Sequence, residues 1–448
     1  MKRSMDKMKQ IKVYLQSLGC AKNQVDSELM CGVLKKDGCI MLADPADADV
    51  IIVNTCGFIE SAKIESIQYI LELAQYKESG CCRLLLAVGC MAEKYGGEML
   101  EAMPELDGVM GSQSYQDIGR LIAEKLGRPA ASPCAPADNV YLERDKDALG
   151  AMAYLKIAEG CSNNCSFCLI PQLRGAYKSR PMEDVLEEAA VLAENGVKEL
   201  VLLAQDTTFY GHDLYGEPRL AALLAKLAKL PFSMIRLLYA YPGGINDELI
   251  SVMAANDNVC RYLDMPVQHG VDKILAAMNR LDTAASILAT IARLRKAMPD
   301  IALRTTLMVG FPGETEEDFS ALLEFMETAA FDWVGAFPYY QEEDTAAALM
   351  PEQMDNDVKQ ERLSLLMQKA AAQTQKATMR YIGRTLRVLV VASAADIYGE
   401  GWWAGRSQYQ APEVDGLIYF PSAKAQVGDI VNVVIADNDI YDLIGEEA

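Results

Sequence analysis

Three cysteines of one short stretch, Cys161, Cys165 and Cys168 in "GCSNNCSFCLIP", follow a C-x3-C-x2-C spacing. Three thiolates are one short of the four ligands that close a structural zinc site. The only two histidines, His212 and His269, lie far off in sequence. A disulfide would leave one thiol over, and nothing else in the chain argues for an oxidising compartment. Soft thiolates with an open coordination position suit an iron–sulfur cluster whose last iron binds something other than protein.

A second set of cysteines is spread further apart. Cys20, Cys56 and Cys90 close the stretches "SLGC", "VNTC" and "AVGC", each directly after an apolar run. If those runs are parallel strands, their carboxyl ends share the sheet edge where open α/β folds bind ligands. One such cysteine reads as a small buried hydrophobe; three in equivalent positions read as a second metal site. Cys31 falls on a helix, Cys39 just beyond it, and Cys81 and Cys82 ahead of a strand, all away from that edge.

The elements that must position these residues follow from the pattern. Residues 11–127 alternate strands ("IKVYLQSLG", "ADVIIVNTC", "RLLLAVGC") with helices, such as the one that ends at Gly38 and the one over 60–77. Such alternation predicts a doubly wound parallel sheet. "GRPAASPCAPADN", with Cys134, reads as a linker, and residues 128–147 are assigned to it. Over 148–378 six strand-like runs, from "AYLKIAEG" to "DWVGAFPYY", alternate with helical stretches and predict a partial (β/α)6 barrel. Polar residues stand on or just after these strands: Gln205, Asp206, Tyr239, Tyr241, Gln268, His269 and Arg304. The ends of barrel strands carry active sites, which makes Gln205, Asp206 and Arg304 candidate cofactor contacts; the alternative is mutual support within a polar layer. A lone His269 reads as a satisfied core residue. "GFPGET", Gly310–Thr315, has no G-K-S/T and is a strand-to-helix turn, with "TEED" resembling a capping box that lacks Glu or Gln at its end. Residues 379–448 shorten into alternating runs ("RTLRVLVVAS", "GLIYFPS", "GDIVNVVIAD") and predict a small closed β-barrel.

Composition limits the partners. The chain of 448 residues carries 42 basic and 63 acidic residues, a formal net charge of −21. From Met379 onward the net charge is −5, which disfavours phosphate and favours a basic protein, the alternative being an acidic surface that serves solubility. The basic start "MKRSMDKMKQIKVYL" lacks the apolar region of a signal peptide. No stretch approaches the ~20 apolar residues that span a bilayer. The expected setting is the cytoplasm, without membrane.

With these residues in place the chain resembles the radical S-adenosylmethionine enzymes, in which three cysteines hold a 4Fe-4S cluster and the cofactor ligates its fourth iron. The whole layout is similar to the methylthiotransferases, with an amino-terminal three-cysteine domain, a radical barrel and a carboxyl-terminal TRAM barrel. "SLGCAKNQVDSE", "NTCGFI", "AQDTTFYG", "DMPVQH" and "APEVDG" resemble the RimO branch. In "YYQEEDT" the family's pattern would place Gly where Asp344 stands. The resemblance implies two 4Fe-4S clusters, on Cys161, Cys165 and Cys168 and on Cys20, Cys56 and Cys90, with S-adenosylmethionine as radical source and methyl donor. It implies methylthiolation of the β-carbon of an aspartate in the small-subunit ribosomal protein numbered twelve, with an electron donor such as flavodoxin or ferredoxin. Glu413 and Asp415, in "APEVDG", are then candidate contacts to that basic protein. The alternative is a tRNA methylthiotransferase acting beside the anticodon, which the acidic carboxyl-terminal segment disfavours.

Overall fold

A computed structural model of the chain describes residues 10–127, 140–145 and 149–448. The first residues of the basic start, and residues 128–139 of the expected linker with Cys134, lie outside the described residues. The described chain forms two compact units, one running to Leu149 and taking in Leu169–Ala176, the other made of Gly150–Cys168 and Tyr177–Ala448.

The first unit is built on five parallel strands, Lys12–Ser17, Ile40–Leu42, Val50–Thr55, Leu84–Gly89 and Gly108–Gly111, in spatial order 2-1-3-4-5. Every residue of Val50–Thr55 and Leu84–Gly89 is buried. That is why these two read as unbroken apolar runs: a central parallel strand is covered on both faces. The second and fifth strands, three and four residues long, are too short to declare themselves in sequence. Residues 140–145 fold back onto the helix Ala21–Lys36, with Lys35 paired to Asp145 and Lys36 to Glu143. Gly32 makes the approach possible, since a Cβ there would lie 1.6 Å from the Glu143 carbonyl oxygen.

The second unit holds six parallel strands in sequential order: Met152–Lys156, Glu199–Leu203, Met234–Leu237, Val259–Asp264, Ala302–Val309 and Trp333–Pro338. The first and sixth strands are edges of this sheet, so the barrel is open, as the six expected repeats require. Strands Thr385–Ser393, Trp402–Arg406, Ile418–Pro421, Ile430–Asn438 and Leu443–Glu447 close the small barrel; the second and fifth of these were not among the runs picked out in sequence. Closure removes the unpaired edges that five short strands would otherwise expose.

The small barrel is keyed to the amino-terminal ends of the open barrel's strands. Glu199, the first residue of the second strand, is fully buried and pairs with Arg236 at 2.8 Å and Arg406 at 2.7 Å. Arg236 also donates to the carbonyls of Ser407 and Gln408, and the Trp333 indole donates to that of Tyr409. Two guanidiniums sharing one buried carboxylate are tolerable only because their remaining donors find carbonyls.

Candidate functional site: two cysteine triads at strand ends

In the first unit each cysteine of the spaced triad sits where a strand gives way to a helix. Cys20 is the residue before helix Ala21–Lys36, Cys90 opens helix Cys90–Ala102, and Cys56 follows the strand that leads to helix Glu60–Ala74. Helix amino termini are electropositive and favour thiolate or any anionic group. The loops meet closely: a Cβ on Gly19 would lie 2.8 Å from Cys56 Cβ, and one on Gly89 would lie 2.3 Å from Asn54 Oδ1. Both glycines adopt left-handed backbone, with φ of 85° and 94°.

Asn23, which is buried, ties the loops together. Its Nδ2 donates to the carbonyls of Leu18 and Thr55, at 2.9 and 3.1 Å, while its Oδ1 accepts from the Cys90 thiol at 3.7 Å. Asn54 Nδ2 returns a bond to the Asn23 carbonyl at 2.9 Å. Arg174, only 2% exposed, completes the arrangement, its Nη1 2.9 Å from Asp26 Oδ2 and its Nε 3.3 Å from Cys90 Sγ. Burial pushes the Cys90 thiol up to about 11, with Arg174 pulling it down and Cys20 and Cys56 adding to the rise. Burial raises Cys56 too, and Cys20 adds to that rise. Sequence reasoning missed Asn23, Asn54 and Arg174. An asparagine inside the otherwise apolar "VIIVNT" was a readable signal; Arg174 had none, since its partners lie about 150 residues away in sequence, at Asn23 and Asp26.

In the second unit the compact triad lies in a loop after the first barrel strand, with left-handed backbone at Gly160 (φ 71°) and Asn164 (φ 51°). The segment Ala277–Arg280 pins that loop. Ser166 bonds the Met278 and Ala277 carbonyls at 3.0 and 2.9 Å, and Asn279 Nδ2 bonds the Asn164 carbonyl at 2.8 Å. Arg280 lies over the Tyr241 ring, 4.4 Å from its centroid, with Nη1 4.0 Å from Cys165 Sγ. Burial raises Cys161 and Cys165, and Arg280 pulls both back. Sequence reasoning did not single out Arg280 or Asn279.

The polar residues expected near strand ends divide. Asp206 is buried beside the cysteine loop: its Oδ2 accepts from Asn163 Nδ2 at 2.9 Å, and its Oδ1 caps Thr208 N at 3.0 Å. Gln205 precedes it, half-buried. Arg304 lies deeper, inside the barrel, with Nη1 2.9 Å from Asp264 Oδ1. Tyr239 and Gln268 each carry a positive φ, 56° and 71°, just past the third and fourth strands. Strain of this kind persists only where its surroundings fix it.

His269 is the buried core residue expected but only half satisfied: Nδ1 accepts from Val271 N at 3.1 Å, while Nε2, 3.3 Å from Glu314 Oε2, makes no hydrogen bond. Thr315 and Asp318 form a complete capping box, so aspartate does the work for which glutamate was looked for. Asp344, where glycine was expected, has φ 66°, a left-handed position that aspartate tolerates better than most residues. One expectation fails. Asp415 is not a surface contact for a basic protein: its side chain is 1% exposed and stands 3.4 Å from Arg304 Nε. Glu413 is exposed and accepts from the Tyr154 hydroxyl at 3.2 Å.

The donor chemistry fits an iron–sulfur cluster: each triad offers three soft thiolates and leaves a coordination position open. Each triad also has an arginine beside one thiol, Arg174 at Cys90 and Arg280 at Cys165, a cation that would offset the negative charge of a thiolate-ligated cluster.

Three family models match the chain: the uncharacterized protein family UPF0004 over residues 12–111, the radical SAM superfamily over 155–326 and the TRAM domain over 382–447. Proteins named ribosomal protein uS12 methylthiotransferase RimO are similar over 97% of this chain and 98% of their own length. The one from Geobacter sulfurreducens is 48% identical and the one from Clostridioides difficile 46%. Among solved structures, the radical S-adenosylmethionine methyltransferase TsrM from Kitasatospora setae shares the fold, with a TM-score of 0.56 at 14% identity over 73% of each chain. The full-length similarity and the three matched domains in this order lead to one conclusion: the chain belongs to the RimO family of radical SAM methylthiotransferases.

Proposed function

We propose that this protein attaches a methylthio group to the β-carbon of an aspartate in ribosomal protein uS12. The carrying observation is identity of 45–48% over 97% of the chain to eight proteins of that name. Cys161, Cys165 and Cys168 hold the radical 4Fe-4S cluster and Cys20, Cys56 and Cys90 the auxiliary one. When bound, the clusters and S-adenosylmethionine supply a carbon radical strong enough for an unactivated C–H bond, the sulfur and the methyl group. The chain's own residues bind and orient. Arg280 and Arg174 place a cation beside each triad, and the Asn23 amide fixes the loops of the auxiliary site. Gln205 and Asp206 contact the cofactor beside the cysteine loop, whereas Arg304, engaged by Asp264, supports that face from beneath.

The proposed division is 11–127 for the auxiliary-cluster domain, 128–147 for the linker, of which residues 140–145 pack on that domain, 148–378 for the radical core and 379–448 for the TRAM barrel. Among the described residues no helix is long and apolar enough to cross a membrane. The enzyme is assigned to the cytoplasm, where ribosomes and a small electron carrier of the flavodoxin or ferredoxin type are available. Mass spectrometry of ribosomal proteins and tRNA from a deletion strain tests the reading. Loss of the methylthio group from uS12 with tRNA unchanged is expected; the reverse would assign the chain to tRNA.

A further inference from the structure

Asp415 enters the open barrel from the loop that joins the second and third strands of the small barrel. Its Oδ2 accepts from Ala411 N at 2.8 Å and its Oδ1 faces Arg304 Nε at 3.4 Å. Arg304 reaches Asp264, whose other oxygen accepts the Tyr239 N–H at 3.1 Å. Tyr239 is the strained residue past the third strand, and its carbonyl accepts both the N–H and the hydroxyl of Thr207, at 3.0 and 3.2 Å. Thr207 is bonded to Asp206 through the chain, and Asp206 holds Asn163, inside the radical-cluster loop. An ion pair at Asp415, hydrogen bonds and one peptide link therefore lead from the carboxyl-terminal barrel to the cysteine loop. The sixth strand keeps room for the link: a Cβ at Gly335 would stand 2.9 Å from Arg304 Nη2.

Stability alone does not call for this arrangement. Asp264 already neutralises Arg304, and a second buried carboxylate on the same guanidinium adds desolvation cost that an apolar side chain would avoid. What the second carboxylate adds is geometry, because it faces Nε of the guanidinium while Asp264 holds Nη1.

We infer that Asp415 is a positioning residue for the radical reaction: from the TRAM barrel it fixes Arg304 and Asp264, and through them the Tyr239 peptide on the cofactor face. The inference rests on the function proposed above. Its test compares the full-length parent with Asp415→Asn, which keeps the shape of the side chain, and with Glu199→Gln, which weakens the other buried link to the small barrel. Hydrogen exchange of the cofactor-free chain should lose about tenfold in protection at the Tyr239 amide in Asp415→Asn, and not in Glu199→Gln. In the cluster-loaded enzyme the KM for S-adenosylmethionine in reductive cleavage should rise about tenfold for Asp415→Asn only, with iron content unchanged. Asp264→Asn, cutting the same path at its other end, should reproduce both effects and keeps the test valid if Asp415→Asn folds poorly. Parent-like exchange and KM in Asp415→Asn, or equal losses in Glu199→Gln, would overturn the inference. A parent that forms no 5′-deoxyadenosine would instead refute the proposed function.

Discussion

Replacing Arg174 by methionine tests the auxiliary site at the residue least visible in sequence. Methionine keeps the apolar stem and most of the volume, so local packing changes little. What goes is the guanidinium that bonds Asp26, Asn23 and Cys90 together. Asp26 is only 4% exposed, and removing one partner of a buried ion pair costs ~3–5 kcal/mol. Asp26 makes further interactions, which places the loss at the low end, about 3 kcal/mol. For a domain of this size each kcal/mol shifts Tm by roughly 2–4 °C, so the first unfolding transition of the reduced apo chain should fall by about 6–12 °C. Arg174→Lys should recover only part of this, because one ammonium cannot reproduce a fork aimed at three partners. Anaerobic reconstitution of Arg174→Met should load the radical cluster but not the auxiliary one. A Tm within about 2 °C of the parent, together with full iron, would show that the guanidinium holds nothing in place.

The two triads should be separable. Alanine at Cys161, Cys165 and Cys168 should halve the iron and abolish 5′-deoxyadenosine formation; alanine at Cys20, Cys56 and Cys90 should halve the iron and leave cofactor cleavage intact. Full iron in the second variant would refute the strand-end argument. Gly19→Ala should lose auxiliary iron alone, since its methyl meets Cys56 at 2.8 Å on a backbone with φ 85°; normal loading would show that the loop yields. Burial pushes the Asp415 carboxyl up to about 6, with Arg304 pulling the other way. A folded value above the unfolded one, about 3.9, means that the folded chain holds this proton more tightly. Its contribution to stability therefore declines as pH rises from about 4 to about 6 and is level above that. The difference in Tm between parent and Asp415→Asn should follow this course, and a difference constant over that range would contradict it.

The sequence by itself determined the chemistry and the sheets. C-x3-C-x2-C states three thiolates and an open position without any fold, because the ligands come from one loop and their spacing is local. Cys20, Cys56 and Cys90 were legible one step later, since parallel strands put their carboxyl ends on one edge once the alternation is read. Long apolar strands such as Val50–Thr55 declared themselves; Ile40–Leu42 and Gly108–Gly111 did not, being too short for any period. Only the tertiary structure decided which side chains surround the thiols. Arg174 reaches Asp26 across 148 positions and Arg280 reaches Cys165 across 115, and no local pattern encodes such a meeting. Net charge misled for the same reason. It counted Asp415 among surface acids, whereas the fold carries that carboxylate into the barrel, where its partner is Arg304. Charge is additive along a chain, but burial and pairing are properties of position, and position is fixed only when distant segments pack.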